Sequence, residues 1–402
     1  MALIEEILTS APAFAQMRRY LHAHPELSFD ERKTSAFIAR KLQEWGIEVY
    51  TGWAKTGVIG VLKNGTSHRS IGLRADMDAL PIQERNTFAH ASSCTGKMHA
   101  CGHDGHVVML LAAAQYLAEH KNFDGTVYFI FQPAEEEGAG GQVLVDEGLF
   151  EKFPMDAVFG MHNWPDLPAG TMAVAPGPVM ASCSDFTLRI MGKGGHAAMP
   201  HLSVDPLPLA CQIVLAWQTI ISRESSPLER SVLSVTTMHV GEAQNAVPEF
   251  CVLSGTVRTF SGQSTDQIEK RMFEMANNIS AAYQCRCEFE FERTYVATVN
   301  SEPDAEFAKR IMLEILPTEQ VWEQAPSMAS EDFGFMLAAK SGAYVFIGQG
   351  NVNGEGGDGQ RSSCALHSPY YDFNDDIIPL GGTYWVRLAE CFLCEEKEKS
   401  AG

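Results

Sequence analysis

From residue 1 to about 45, apolar positions recur at helical spacing, broken by a polar loop at 22–26. Short apolar runs then alternate with helical stretches. GVIGVL (57–62), SIGLRAD (70–76), TVYFIFQ (126–132) and DAVFGMH (156–162) read as strands. HVVMLLAAAQYL (106–117) reads as a buried helix, and another helix falls near 142–149. This alternation predicts an α/β fold, a mostly parallel sheet with helices on both faces. From about 184 the rhythm changes. A strand (185–192), a helix (203–223), strands near 231–240 and 251–260, a helix (265–283) and the strand CEFEFER (287–293) follow in turn. That β-α-β-β-α-β order is the ferredoxin-like arrangement of a small two-layer domain. After about 295 the first rhythm resumes, with a helix near 304–315, a strand at 343–348 and a closing helix after 375. The pattern predicts a larger α/β domain, 1–183 with 295–402, interrupted by an inserted domain, 184–294.

Composition narrows the possibilities. A chain of 402 residues exceeds the ~150-residue prior for one domain. With 45% hydrophobic and 20% charged residues it can bury sizeable cores. Fifty Asp and Glu against 30 Lys and Arg give a net charge of −20, which repels phosphate backbones and anionic lipid. Neither nucleic acid nor membrane is an expected partner, and an anionic substrate would need a local basic pocket. No apolar run reaches the ~18 residues of a membrane span. The opening MALIEEILTS lacks the order of a secretory signal, so a cytoplasmic protein is expected. The ten cysteines are scattered and expected to be reduced. Cys391 and Cys394 form a CxxC inside a segment that reads as helix. GEGGDG (354–359) matches a dinucleotide-binding pattern, but no helix starts there, so the Gly-rich stretch 348–359 reads as a loop. The acidic end, 395–402, reads as a solvated tail.

Chemistry-bearing residues gather at predicted strand ends, where open α/β sheets bind ligands. In MHACGHDGH (98–106), Cys101 and His103 are two apart and can face one side, a thiolate and imidazole suited to zinc or a similar metal. A buried Cys beside a helix-capping Asp104 is the plainer alternative. QPAEEEG (132–138) follows an apolar strand, so one carboxylate can bind metal while its neighbour acts as general base. Acids at a helix N-terminus are the alternative. In RADMD (74–78), Asp76 and Asp78 share a face, which suits a carboxylate bonded to a metal-bound histidine. An ion pair with Arg74 competes with that reading. His162 ends a strand and His367 lies in ALHSPY; each matters only as a partner to Cys101, His103 and Glu136.

HPELSFDE, LRADMDALP, MHACGHDGH, FQPAEE, FGMHNWP, GKGGHAAMPH, SEDF and LHSPYYDF, in this order, resemble the M20 metallopeptidase family. The closer match is its amidohydrolase branch, the hippurate, N-acyl-amino-acid and auxin-conjugate hydrolases. The resemblance runs from about residue 15 to 390. It implies that Cys101, His103, Glu136, His162 and His367 hold two divalent metal ions per subunit, zinc or manganese first, cobalt or nickel as alternatives. It makes Glu135 the general base and Asp78 the acid supporting the metal centre. In the inserted domain it implies that His196 stabilises the oxyanion, and that Asn245 and Arg258 contact the substrate's carboxylate. It also implies a lid and a homodimer or higher homo-oligomer built through that domain. Two departures stand out: a third acid, Glu137, follows Glu136, and the Gly-rich loop 348–359 is longer than usual.

The expected activity is metal-dependent hydrolysis of the amide bond of N-acyl-L-amino acids. A dipeptidase on the same scaffold is the alternative, since a dipeptide is also an acylated amino acid. A catalytically silent binding protein is the rival from another class, and the intact set of ligands and base argues against it.

Overall fold

A computed structural model describes residues 3–350 and 365–394. The chain divides into two compact units. One comprises residues up to Val179 with Val299–Ala325 and those from Asp332 onward; the other comprises Met180–Thr298 with Pro326–Glu331. The second unit thus begins before 184 and ends after 294. Its first strand starts at Ser182, with a polar stretch, Ser182, Cys183 and Ser184, that is buried although it carries no apolar signal.

The first unit is organised by an eight-stranded sheet. Its order is Glu48–Trp53, Gly57–Asn64, Gly125–Gln132, Ser70–Asp76, Ala157–Trp164, Gly342–Gly348, Met172–Ala173 and Val321–Trp322. Four central strands run parallel: Gly125–Gln132, Ser70–Asp76, Ala157–Trp164 and Gly342–Gly348. Antiparallel neighbours flank them on both sides. Every residue of Ser70–Asp76 and Gly342–Gly348 is buried, so helices must cover both faces. Helix His103–His120 is buried all round through Ala114 and packs against Glu5–Ala23 and Ile378–Cys394. Helices Gly140–Asp146 and Phe333–Ala339 pack on each other.

The sequence pattern missed Glu48–Trp53, whose residues are exposed or half-buried at a sheet edge, leaving weak alternation. It also missed two-residue strands and the short helix Phe333–Ala339, which are too brief to show a period. The CxxC pair lies on helix Ile378–Cys394 as expected. Among the described residues, no helix is long and apolar enough to cross a membrane. Residues 351–359 of the Gly-rich stretch, with its GxGxxG match, and the tail 395–402 lie outside the described residues.

The second unit is a four-stranded antiparallel sheet in the order Ser231–Val240, Phe250–Thr259, Ser182–Met191, Arg286–Tyr295. Helices Pro206–Thr219 and Gly262–Ala282 complete the β-α-β-β-α-β order. Both starts are written locally: Asp205 accepts the Leu207 N–H ahead of Pro206, and Ser261 accepts the Ser264 N–H. Its own core includes Phe186, Leu188, Ile213, Trp217, Leu253 and Met272, and the Trp217 indole donates to the Met272 carbonyl at 3.0 Å.

The ends of the parallel strands are fastened by one buried cation. Arg74 donates to Asp76 at 2.7 Å, to Gln132 at 2.8 Å and to Asp332 at 3.0 Å. Asp332 also accepts from the Gln132 amide at 2.7 Å and from the Gly141 N–H at 2.7 Å. Removing the cation strands two carboxylates in a dry interior. Arg74→Met is therefore expected to lower the unfolding free energy by about 3–5 kcal/mol in urea titration; a loss under 1 kcal/mol would contradict this account.

Candidate functional site

The parallel strands deliver their following loops to one place. Gly102 precedes helix His103–His120 at φ +92°, and a side chain there would meet Asn163 Oδ1 at 2.3 Å and the Tyr371 hydroxyl at 2.6 Å. Only glycine allows this turn. It puts Cys101 and His103 on one buried wall. Cys101 Sγ lies 3.4 Å from His162 Nε2, at the end of strand Ala157–Trp164. Glu136 Oε1 lies 3.3 Å from His367 Nε2 and 3.9 Å from His103 Nε2. The His367 N–H donates to the Ala100 carbonyl at 2.7 Å, which ties that distant loop to the same wall.

Ligand atoms within 4.8 Å of one another thus form overlapping groups, among them Cys101, His103 and His162; Cys101, Glu136 and His367; and His103, Glu135 and Glu136. The five residues expected to bind metal, and the expected base, are brought together. In the acidic run Glu135 is buried, Glu136 half-buried and Glu137 exposed, so the third acid points elsewhere.

Hydrogen bonds fix which ring nitrogens face the cluster. His103 Nδ1 donates to the Asp78 carbonyl at 3.0 Å, with Asp78 Oδ1 at 3.2 Å, and turns Nε2 inward. His162 Nδ1 donates to the Asn163 carbonyl at 2.6 Å, which leaves Nε2 towards Cys101. Two buried atoms facing the cluster, His103 Nε2 and Glu136 Oε1, make no hydrogen bond. Buried polar atoms seldom go unsatisfied, and donors of this kind aimed at one point suit a cation.

Electrostatics agrees. Burial pushes the Cys101 thiol well up, and Glu136, Glu135 and Asp76 push it further. Burial works against a charged His103, yet Asp76, Asp78 and Glu136 raise its pKa to about 10. Burial and the neighbouring His106 hold His162 well below the usual imidazole range. The pocket therefore carries a negative field, satisfied in part by a proton on His103. A divalent cation would displace that proton and draw out the thiolate.

Of the other histidines in the 98–106 loop, His106 forms a further group with Asp76 and His103, and His99 is in none of these groups. His106 Nδ1 donates to Asp76 at 2.6 Å, and its Nε2 faces Asn163, 2.7 Å from Oδ1 and 3.0 Å from the backbone nitrogen. His99 is buried, neither ring nitrogen has a hydrogen-bond partner, and burial lowers its pKa to about 4. Asp76 and Asp78 divide their tasks: Asp78 holds His103, and Asp76 takes both His106 and the competing ion pair to Arg74. Residues to which the sequence assigned no role stand behind the ligands. The Asn163 amide donates to Gln349 at 2.6 Å and to the Tyr371 hydroxyl at 2.8 Å, building the floor beneath Gly102. Asn163 and Tyr371 lie inside recognisable motifs, but their function is visible only in three dimensions.

His196, Asn245 and Arg258 belong to the second unit. The strand Gly195–His196 pairs with Ala246–Val247, and the Ala197 N–H donates to the Asn245 carbonyl at 3.0 Å, so His196 and Asn245 are neighbours. The Ala198 N–H donates to His196 Nδ1 at 3.1 Å, so in neutral His196 the ring proton is on Nε2. Arg258, half-buried on strand Phe250–Thr259, donates to the Ser330 hydroxyl.

Known proteins are similar to this chain over nearly its whole length. The pattern of peptidase family M20/M25/M40 matches residues 72–390. A hippurate hydrolase of Campylobacter jejuni is 37% identical over 394 residues, covering 98% of this chain and 100% of that protein. An N-acetyl-L-cysteine deacetylase of Bacillus subtilis is 39% identical over 391 residues, covering 96% and 89%. A solved structure from Bacillus subtilis, described as a dinuclear metal binding peptidase of the M20 family, matches with a TM-score of 0.81 at 33% identity, covering 96% of this chain and 99% of that one. Family pattern and full-length relatives agree with the clustered donors, and the chain belongs to peptidase family M20/M25/M40, in its amidohydrolase branch.

Proposed function

We propose that this hydrolase acts on the amide bond of N-acyl-L-amino acids, hippurate-like compounds among them, and depends on divalent metal. The observation that carries the reading is the convergence of Cys101, His103, Glu136, His162 and His367 beside Glu135. Those five would hold two ions, and the mixed sulfur, nitrogen and oxygen set accepts zinc or manganese, and also cobalt or nickel. Bound there, the ions supply Lewis acidity, which makes water acidic near neutral pH and polarises a carbonyl.

The chain's own groups supply the rest. Glu135 takes a proton from the attacking water as its oxygen bonds to the acyl carbon. It returns that proton to the amide nitrogen as the C–N bond breaks, releasing a carboxylic acid and an amino acid. Asp78 keeps His103 in one tautomer and orientation. We assign His196 to the oxyanion, since its Nε2–H is a donor, and Asn245 with Arg258 to the substrate's carboxylate. A guanidinium supplies the local cation that a chain of net charge −20 otherwise lacks.

The second unit is proposed as the dimer interface. Edge strand Ser231–Val240 carries no Asp, Glu, Lys or Arg, whereas the opposite edge, Arg286–Tyr295, presents Arg286, Glu288, Glu290, Glu292 and Arg293. Charges of that kind block edge pairing, and their absence permits it. Helix Pro206–Thr219 also leaves Leu215 71% exposed.

Three outcomes are expected. Metal-loaded protein releases glycine from hippurate, loses the activity to a chelator and regains it with divalent cation; no release across a panel of N-acyl amino acids, with metal bound, would refute the substrate class. Faster cleavage of unblocked dipeptides would instead mark an exopeptidase. Glu135→Gln should lower kcat roughly 10²–10⁴-fold while metal content by elemental analysis stays unchanged; surviving turnover would show the base is elsewhere. Met238→Lys with Leu215→Lys should convert a dimer to a monomer in sedimentation velocity, and an unchanged sedimentation coefficient would dismiss this interface.

A further inference from the structure

The motif HPELSFDE (24–31) has no part in the chemistry above, yet its polar groups run towards it. Glu26 Oε2 accepts the Lys33 and Thr34 N–H groups at 2.8 and 2.9 Å, capping helix Arg32–Glu44. The Ala79 N–H donates to the Glu26 carbonyl at 2.9 Å, and Leu27 bridges Ala79. The Ser28 hydroxyl donates to Asp78 Oδ2 at 2.9 Å, the oxygen that also accepts the Glu136 N–H at 3.0 Å. Glu31 reaches furthest. Its fully buried carboxyl accepts the Thr56 hydroxyl at 2.5 Å on one oxygen and the Ala134 N–H at 2.9 Å on the other.

Ala134 is the residue that needs holding. It sits at φ +54°, in the left-handed region that alanine seldom adopts, and it directly precedes Glu135 and Glu136. Its carbonyl accepts the Gly140 N–H at 2.9 Å, so the turn is closed from one side by its own loop and from the other by Glu31. A backbone in this region persists only where its surroundings over-determine it.

We propose that Glu31 is a positioning residue: by gripping the Ala134 amide in its left-handed turn, it sets the directions in which Glu135 and Glu136 leave the end of strand Gly125–Gln132. This rests on the reading of Glu135 as base and Glu136 as metal ligand. The carboxyl is costly where it stands. Burial pushes its pKa up to about 7, with Asp78 adding to the rise, while Thr56 and Ala134 pull it down. A core that needed only volume at this position would fill it with an apolar side chain.

The test compares Glu31→Ala, Glu31→Gln and Thr56→Val with Glu135→Gln, each measured for hippurate kinetics and for metal retention against a chelator. Glu31→Ala should lower kcat about 10- to 100-fold with KM changed less than about threefold, and lose metal about tenfold more readily. Glu31→Gln can still accept from Ala134 and donate to Thr56, so both measures should stay within about threefold of the parent. Thr56→Val spares the Ala134 bond and should do likewise. Equal losses in Glu31→Gln and Glu31→Ala, or parental values in Glu31→Ala, would overturn the proposal. Should Glu31→Ala not fold, Glu31→Asp decides: it keeps the charge but withdraws the acceptor by one methylene, so parental kcat and metal retention would overturn the proposal and their loss would support it. An active Glu135→Gln would fault the assigned base; an inactive Glu135→Gln beside an undiminished Glu31→Ala would fault Glu31 alone.

Discussion

Negative charge concentrated in a dry pocket is the constraint around which the first unit is arranged. Asp76, Asp78, Glu135 and Asp332 are all buried, with Glu136 half-buried among them. One full cation, Arg74, answers Asp76 and Asp332. On the cluster side the charge expresses itself through its neighbours, raising His103 to about 10 and pushing the Cys101 thiol well up. Burial by itself would have favoured neutral imidazole, so the carboxylates win that contest. A pocket with this balance prefers positive charge, and its nitrogen, sulfur and oxygen donors decide which kind.

Some of the backbone's left-handed residues fall in the loops of the same pocket. Gly102 at φ +92°, Ala134 at +54°, His367 at +66° and Phe29 at +63° lie in the 98–106 loop, the acidic turn, the distal histidine loop and the brace between them. Each departure has a restraint: the Asn163–Tyr371 floor under Gly102, the Glu31 carboxyl on Ala134, the Ala100 carbonyl on His367, and Phe29 packed against Gly138. Strain held at several adjoining points by unrelated segments is what pre-organised ligands require, because a parallel sheet delivers loop ends near one another without fixing their final directions.

The architecture was readable because strands such as Gly342–Gly348 are buried throughout and so spell runs free of charged residues. The edge strand Glu48–Trp53 was not, because one solvated side dilutes its pattern. At the site, residues grouped two apart or adjacent, such as Cys101 with His103 and Glu135 with Glu136, carry local signals that spacing alone can raise. His162 and His367 gain meaning only from the partners the fold brings to them. The 98–106 loop shows the limit most clearly: it offers a thiol and three imidazoles, but which of them face inward depends on Asp76, Asp78 and Asn163, residues remote in sequence. Glu31 was invisible for the same reason, since its partner Ala134 is a residue with no polar side chain at all.

The two units also differ in how firmly they hold the groups proposed for chemistry. In the first, the candidate ligands are mostly buried, their tautomers fixed by hydrogen bonds and their loops tied to strand ends. In the second, His196 and Asn245 are exposed, His196 on the two-residue strand Gly195–His196 and Asn245 in the turn just before its partner, Ala246–Val247. A reacting centre must be rigid, because small displacements of a base or ligand are costly. Groups that recognise a substrate gain from a surface that can adapt, and short, exposed pairing is where low local stability is concentrated. On the proposed function, the division joins one rigidly held bond-breaking centre to substrate-recognising groups on segments that sequence periodicity describes least well.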